Sequence, residues 1–148
     1  MERREFIAAM GATAAALSMS SAKAEETGSA ASSTTHMHPP KYKALSDVAG
    51  KCVTDGDNCL RHCFGMLSMN DTSMADCTKA SFETIAGCRA LETLAAVNSP
   101  HTPAFAKIVE EMCVACKKEC DKFPQYSECV DMGKSCKACA EECRKISA

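Results

Sequence analysis

Two short segments near the C-terminus carry three cysteines each at the same spacing. They read CVACKKEC at residues 113–120 and CKACAEEC at residues 136–143, and neither contains glycine or proline. Side chains three or four residues apart on a helix have Cβ atoms about 5–6 Å apart. Two such sulfur atoms can converge on one ion, so the spacing predicts helices that chelate metal through thiolates.

The other cysteines follow the same rule when they are placed at about 100° per residue on predicted helices. Each helix then carries its thiols on one narrow stripe, where a bundle normally places leucine. Gly56 falls on the stripe of the first helix and is expected to leave room beside bound ions. The twelve candidate thiolate ligands are Cys52, Cys59, Cys63, Cys77, Cys88, Cys113, Cys116, Cys120, Cys129, Cys136, Cys139 and Cys143.

Four segments with helical periodicity, separated by helix breakers, are predicted to position these thiols. They cover residues 42–67, 73–97, 102–122 and 124–146. No segment alternates apolar and polar residues, so no strand is predicted. Four helices of about 20 residues, joined by short loops, predict an all-α, antiparallel four-helix bundle with a cysteine-lined core.

Two helix starts carry specific signals. Ser73 and Asp76 have the spacing of a capping box, in which each side chain bonds a backbone N–H at the start of the helix. Thr102 followed by Pro103 resembles a hydroxyl N-cap with proline at the first helical position.

The N-terminus indicates where the protein works. Residues 1–24 resemble a twin-arginine (Tat) signal peptide, with the pair Arg3-Arg4, an alanine-rich run too short to span a bilayer, and the cleavage motif Ala22-Lys23-Ala24. Residues 25–41 read as a flexible linker, and residues 42–148 as the bundle domain. The sequence therefore predicts export by the Tat pathway to the periplasm, or association with internal membranes.

Composition and motifs argue against several functions. The 148 residues suit one domain of ordinary size, and a net charge of −2 gives no reason to expect a nucleic-acid partner. No Ser/His/Asp arrangement or nucleotide-binding loop is present, and thiols shielded in a bundle are poor nucleophiles. The sequence therefore predicts a protein that is not an enzyme and that has no membrane partner once processed.

Twelve inward cysteines admit four explanations besides simple packing: disulfides, zinc binding, copper(I) binding and thiol redox chemistry. Six disulfides suit an oxidising compartment, but bridges between neighbours on one helix constrain little. If the twelve thiolates formed Cys₄ sites for zinc, they would bind about three Zn(II) ions, and about six negative charges would stay uncompensated. Copper(I) is soft, accepts a pair of thiolates, and neutralises the core at about one ion per cysteine. Copper(I) is favoured, while a disulfide-stabilised interaction protein, a zinc–thiolate buffer and a thiol oxidoreductase stay open as alternatives.

Residues 42–148 resemble the bacterial four-helix-bundle copper storage proteins. The segments that carry the resemblance are DNCLRHCFGMLSMNDTSM at 57–74, residues 102–124, and CKACAEEC at 136–143, and the Tat-like leader is similar to the exported branch known from methane-oxidising bacteria. The resemblance implies many Cu(I) ions along the bundle axis, a homotetramer, and copper supply to a copper-dependent methane monooxygenase or other copper-accepting proteins. This chain departs from the pattern at Met132, where close relatives carry a further cysteine.

Four other candidate ligands surround the turn between the first two helices. Imidazole and thioether groups can pass Cu(I) along without holding it as tightly as thiolate does. The resemblance implies that they lie at the open end of the bundle, where copper enters, although methionine there also serves as a core filler. These residues are His62, Met66, Met69 and Met74.

Overall fold

The computed structural model describes residues 38–147, so the Tat-like segment and nearly all of the predicted linker lie outside the described residues. Within that range the chain forms four α-helices and no strand. They are α1 (Lys43–Ser68), α2 (Ala75–Ala96), α3 (Thr102–Cys120) and α4 (Ser127–Ser147). The all-α fold class predicted from the sequence is confirmed, and the bounds agree with the predicted ones to within a few residues.

The helices pack as a closed ring in which each contacts two neighbours. The contacting pairs are α1 with α2, α2 with α3, α3 with α4, and α4 with α1. Pairs of facing cysteines show that α1 and α4 run antiparallel, because Cys52 faces Cys136 whereas Cys59 faces Cys129. The result is the antiparallel four-helix bundle that the short loops predict.

Local signals explain where the helices stop. Asn70 and Asn98 adopt positive φ values of 61° and 54° just after α1 and α2, which is the left-handed conformation that ends many helices. The N–H groups of the residues that follow bond back to carbonyls of the last turn, at 3.1 Å for Asp71 and 2.9 Å for Ser99. Basic side chains in the last turns of α3 and α4 complement the helix dipole.

Both predicted N-caps are wrong. The residue before α2 is Met74, without a side-chain cap, because the Asp71 carboxylate instead accepts the Ser73 N–H at 2.9 Å inside the loop. Thr102 already belongs to α3, since Ser99 starts the turn: its carbonyl accepts the Thr102 N–H at 3.1 Å. Pro103 nevertheless lies in the first turn of α3 as predicted.

The core differs between the two ends of the bundle. Cys143 of α4 lies near the aliphatic end, where α1 begins and α4 ends, but most of the buried side chains there are hydrocarbon. They are Leu45, Ala49, Leu91, Ala95, Ala106 and Val109. At the opposite sulfur end, where α1 ends and α2 begins, the buried side chains include Cys63, Cys77, Cys120 and Met74. The cysteines fill the axis between these two ends.

Chain segments outside the helices also tie the aliphatic end together. The Asn98 side chain accepts the Lys41 N–H at 2.8 Å and donates to the Pro39 carbonyl at 3.1 Å. The segment before α1 is thereby fixed against the turn between α2 and α3. None of the helices in the described part of the chain is long and apolar enough to cross a membrane.

Candidate metal centre

Every cysteine of the chain points into the bundle. All twelve are free thiols, and none exposes more than 1% of its surface. Each helix contributes its thiols from one inward stripe, as the helical spacing predicts. A buried thiol that is not ionised behaves as a small hydrophobic group, so the thiols can be buried in the core without bound metal.

Neighbouring sulfur atoms are close enough to share an ion. The Sγ atoms of Cys77 and Cys120 lie 3.8 Å apart, and those of Cys88 and Cys139 lie 3.9 Å apart. An ion midway between such atoms is about 2 Å from each, near the metal–thiolate distance of about 2.3 Å known for zinc. These separations greatly exceed the roughly 2.0 Å of a disulfide bond.

Two sets of three thiols converge most tightly. One set is Cys52, Cys88 and Cys113, from three different helices, and the other is Cys59, Cys63 and Cys77, from α1 and α2. Within each set all sulfur atoms lie within 4.8 Å of one another. Soft thiolate clusters of this kind suit Cu(I), zinc and iron–sulfur chemistry.

Hydrogen bonding between the neighbouring thiols Cys116 and Cys120 shifts their pKa values in opposite directions. Hydrogen bonding, first with Cys120 and then with Cys136, lowers the pKa of Cys116 to about 4. Interaction with Cys116 is the largest cause of the raised pKa of Cys120, whose Sγ lies 3.9 Å away. At Cys129 burial is the largest cause, and it raises the thiol pKa because the thiolate is poorly solvated there.

The four predicted ligands of other types lie at the sulfur end but in different environments. The His62 ring is half-buried 4.4 Å from the Tyr126 ring, and its buried Nε2 has no hydrogen-bond partner. Met74 is fully buried, and Met66 is half-buried against the thiols. Met69 is 67% exposed, so the structure does not bring it together with the others.

Sequence reasoning missed a polar group that contacts the thiols. Ser81 is fully buried, and its hydroxyl lies 3.7 Å from Cys59 Sγ and 3.6 Å from Cys116 Sγ. The signal was available, since Ser81 follows Cys77 by four residues and therefore shares its stripe. The Ser81 hydroxyl is therefore within hydrogen-bond distance of one thiol on α1 and one on α3.

The space beside Gly56 is also used differently from the prediction. A Cβ placed on Gly56 would lie 2.5 Å from Cγ1 of Ile85 and 3.2 Å from Cε of Met132. Apolar side chains therefore occupy the room that the glycine leaves, because two facing helices each direct one large residue toward it.

The fold and the core together define a class of protein: a four-helix bundle whose interior is a column of thiols. The Copper storage protein family matches this chain over residues 38–148, and the chain belongs to that family. The family name therefore agrees with the resemblance derived from the cysteine segments.

Two solved structures share the fold. The Cu(I)-bound copper storage protein Csp3 of Bacillus subtilis is 24% identical, with a TM-score of 0.65, covering 72% of this chain and 97% of its own. Apo-Csp3 from the same organism is 23% identical with a TM-score of 0.64, covering 72% and 98%. Among curated proteins no sequence matches this chain significantly.

Proposed function

We propose that the protein stores copper, holding many Cu(I) ions, about one per cysteine, through thiolates inside the bundle. The observation that carries the proposal is the burial of all twelve cysteines as free thiols in one continuous core. The family match supports copper as the metal, and so does the Cu(I)-bound state of the similar Bacillus subtilis protein. The role is binding without turnover.

Charge balance favours a monovalent ion in this core. An uncompensated thiolate buried at 0–1% exposure is costly, and one Cu(I) per thiolate leaves the filled core neutral. Zinc at about three ions per chain would leave about half of that charge uncompensated. Because the scaffold is continuous helix with buried thiols already facing each other, apo and loaded forms are expected to share one fold.

The sulfur end is the proposed route for copper. His62, Met66 and Met74 lie there beside Cys63 and offer neutral ligands of intermediate strength. The unpartnered Nε2 of His62 is available for a metal ion. Met69, exposed at the same end, would act only as a first contact for incoming copper.

Anaerobic titration with Cu(I) against competing chelators tests the storage role. We expect about twelve equivalents of Cu(I) to be retained after gel filtration, whereas a zinc buffer retains about three equivalents of Zn(II). Thiol counting on freshly purified protein provides the second measurement. Few reactive thiols in denatured, unreduced protein would favour the disulfide alternative, and turnover in an insulin-reduction assay would favour an oxidoreductase.

Export, assembly and delivery complete the proposal. The Arg3-Arg4 motif and the Ala22-Lys23-Ala24 site support Tat export to the periplasm or to internal membranes. A homotetramer rests on the resemblance and on exposed apolar side chains such as Phe64, Phe82 and Val114. Supply to a methane monooxygenase rests on the resemblance alone.

Three measurements address these parts separately. Replacing Arg3 and Arg4 by lysine should retain the unprocessed chain in the cytoplasm, as seen by cell fractionation. Light scattering coupled to gel filtration gives the mass of the assembly, and a monomer would contradict the tetramer. Deleting the gene should lower the copper content of the monooxygenase when external copper is withdrawn.

A further inference from the structure

One layer of the core interrupts the thiols of α1, α2 and α4, whereas on α3 Cys113 and Cys116 are only three residues apart. At this level the inward positions of α1, α2 and α4 are Gly56, Thr84 and Met132, all of them buried. The hydroxyl of Thr84 donates to the backbone carbonyl of Met112 at 3.1 Å and is thereby satisfied within the protein. Ile85 and Met132 both reach the space beside Gly56, so the layer is filled with hydrocarbon and one thioether.

The layer divides the cysteines into two groups of six. The inner group, toward the aliphatic end, comprises Cys52, Cys88, Cys113, Cys136, Cys139 and Cys143. The outer group, toward the sulfur end, comprises Cys59, Cys63, Cys77, Cys116, Cys120 and Cys129.

Sulfur–sulfur contacts follow this division. In the inner group, Cys52–Cys136 and Cys88–Cys113 are each separated by 4.0 Å and Cys88–Cys139 by 3.9 Å. In the outer group, the distances are 4.0 Å for Cys59–Cys129, 3.8 Å for Cys77–Cys120 and 3.9 Å for Cys116–Cys120. Each of these six sulfur–sulfur contacts thus joins members of one group, and each set of three converging thiols lies within one group.

Cys116 and Cys136 interact across the layer. Met132 cannot replace a bridging thiolate, because a thioether is neutral and would leave the charge of its Cu(I) unbalanced in a buried site. Six thiolates with about six Cu(I), by contrast, form a neutral unit on either side. Charge balance and geometry therefore favour the same division.

We propose that copper is held as two separate six-thiol clusters, the inner and outer groups, with the Gly56–Ile85–Met132 layer between them. This inference rests on the proposed storage function and concerns how the same site is organised. The outer cluster lies beside the proposed route for copper and exchanges first. The inner cluster lies behind the layer and exchanges only past Cys116 and Cys136.

Native mass spectrometry during anaerobic Cu(I) titration tests the division. The wild-type protein should accumulate a species with about six copper ions before it fills, because completing one neutral cluster is favoured over starting the second. Met132→Cys adds a thiol inside the layer, so the half-loaded species should disappear and filling should become continuous. Met112→Cys adds a thiol on α3 outside the column, where Met112 packs against Gly87, and should keep the half-loaded species.

Three further variants keep the test decisive if Met132→Cys does not fold. Met132→Leu retains an apolar layer without sulfur and should still accumulate the half-loaded species. Loss of that species in Met132→Leu would make Met132 a ligand and overturn the division.

Cys88→Ser should lower only the slowly exchanging copper, measured by timed transfer to a chelator, whereas Cys77→Ser should lower only the rapidly exchanging copper. Uniform filling of the wild type to about twelve ions would overturn the two clusters but leave storage intact, whereas failure to retain copper would remove storage itself.

Discussion

The two ends of this bundle use the same helical geometry with opposite chemistry. The aliphatic end buries Leu45, Leu91 and Val109 at 0–1% exposure and is tied to the segment before α1 through Asn98. The sulfur end buries thiols and Met74, and it carries the half-buried His62 and Met66. The core is mostly hydrocarbon at one end and mostly sulfur at the other.

The comparison indicates how a small bundle can hold so many thiols and still fold without metal. Cysteine buries less apolar surface than leucine, so the thiol column contributes little hydrophobic stabilisation for its length. The aliphatic end supplies hydrocarbon contacts that do not depend on metal. Stability of the apo protein and capacity for copper should therefore be separable by substitution at opposite ends.

The variant with the largest expected effect tests whether the stability of the apo protein is independent of its copper capacity. Leu91→Ala removes a fully buried side chain of the aliphatic end and should lower the free energy of unfolding of the apo protein by about 2–5 kcal/mol. Its copper capacity should stay at the wild-type value, because Leu91 offers no ligand atom and all twelve thiols remain. Urea denaturation of apo protein and metal analysis after Cu(I) loading measure the two quantities.

The matched variant at the other end is Cys63→Ser, a nearly isosteric change at an equally buried position. It should cost about 1 kcal/mol of apo stability and remove about one Cu(I) per chain. If Leu91→Ala lowered the capacity as much as Cys63→Ser does, the two ends would not have separate roles.

The sequence was sufficient to predict the helices and their inward faces. Thiols three, four and seven residues apart identify one face of a helix, and the breakers around Asn98 and Pro124 identify the ends. The same periodicity predicts that Cys113, Cys116 and Cys120 share a direction, which the structure confirms.

Features that depend on which residues of neighbouring helices lie at the same position along the bundle axis were not predictable in this way. The filling of the space beside Gly56 requires Ile85 and Met132 to lie at its level, and a single helix period carries no information about that level. The N-cap predictions were wrong for a similar reason. Whether Ser73 or Thr102 caps a helix depends on loop hydrogen bonds to Asp71 and Ser99, which compete with the helical ones.

The next effect in size is the pH dependence of copper binding, which belongs to the thiol column alone. Burial raises the pKa of Cys129, so this thiol is protonated at neutral pH and a Cu(I) ion bound through it must displace a proton. The apparent affinity at such a site should fall by about tenfold, or about 1.4 kcal/mol, for each unit by which the pH is lowered. Competition with a chelator of known pH behaviour at three pH values measures the slope.

The aliphatic end provides the control for this slope. Leu91→Ala adds no titrating group and should show the wild-type pH dependence, whereas Cys129→Ser should lose the contribution of one proton to the total released. A copper affinity independent of pH would contradict displacement of thiol protons.

The smallest expected effect concerns the rate of loading and the direction from which copper arrives. His62→Ala removes the unpartnered Nε2 and the ring that packs 4.4 Å from Tyr126, so transfer of Cu(I) from a weak chelator should slow several-fold. The final capacity should be unchanged, because the thiolates that hold the ions remain. Stopped-flow absorbance at thiolate-to-copper charge-transfer wavelengths follows the rate.

His101→Ala is the matched change at the aliphatic end, where His101 is exposed just before α3. It should leave the rate unaltered, because Leu45 and Leu91, which are buried at that end, offer no ligand atom to an incoming ion. Equal rates for both variants would show that His62 takes no part in loading. Slower loading of His101→Ala alone would reverse the assignment of the two ends, because copper would then arrive through the hydrocarbon core.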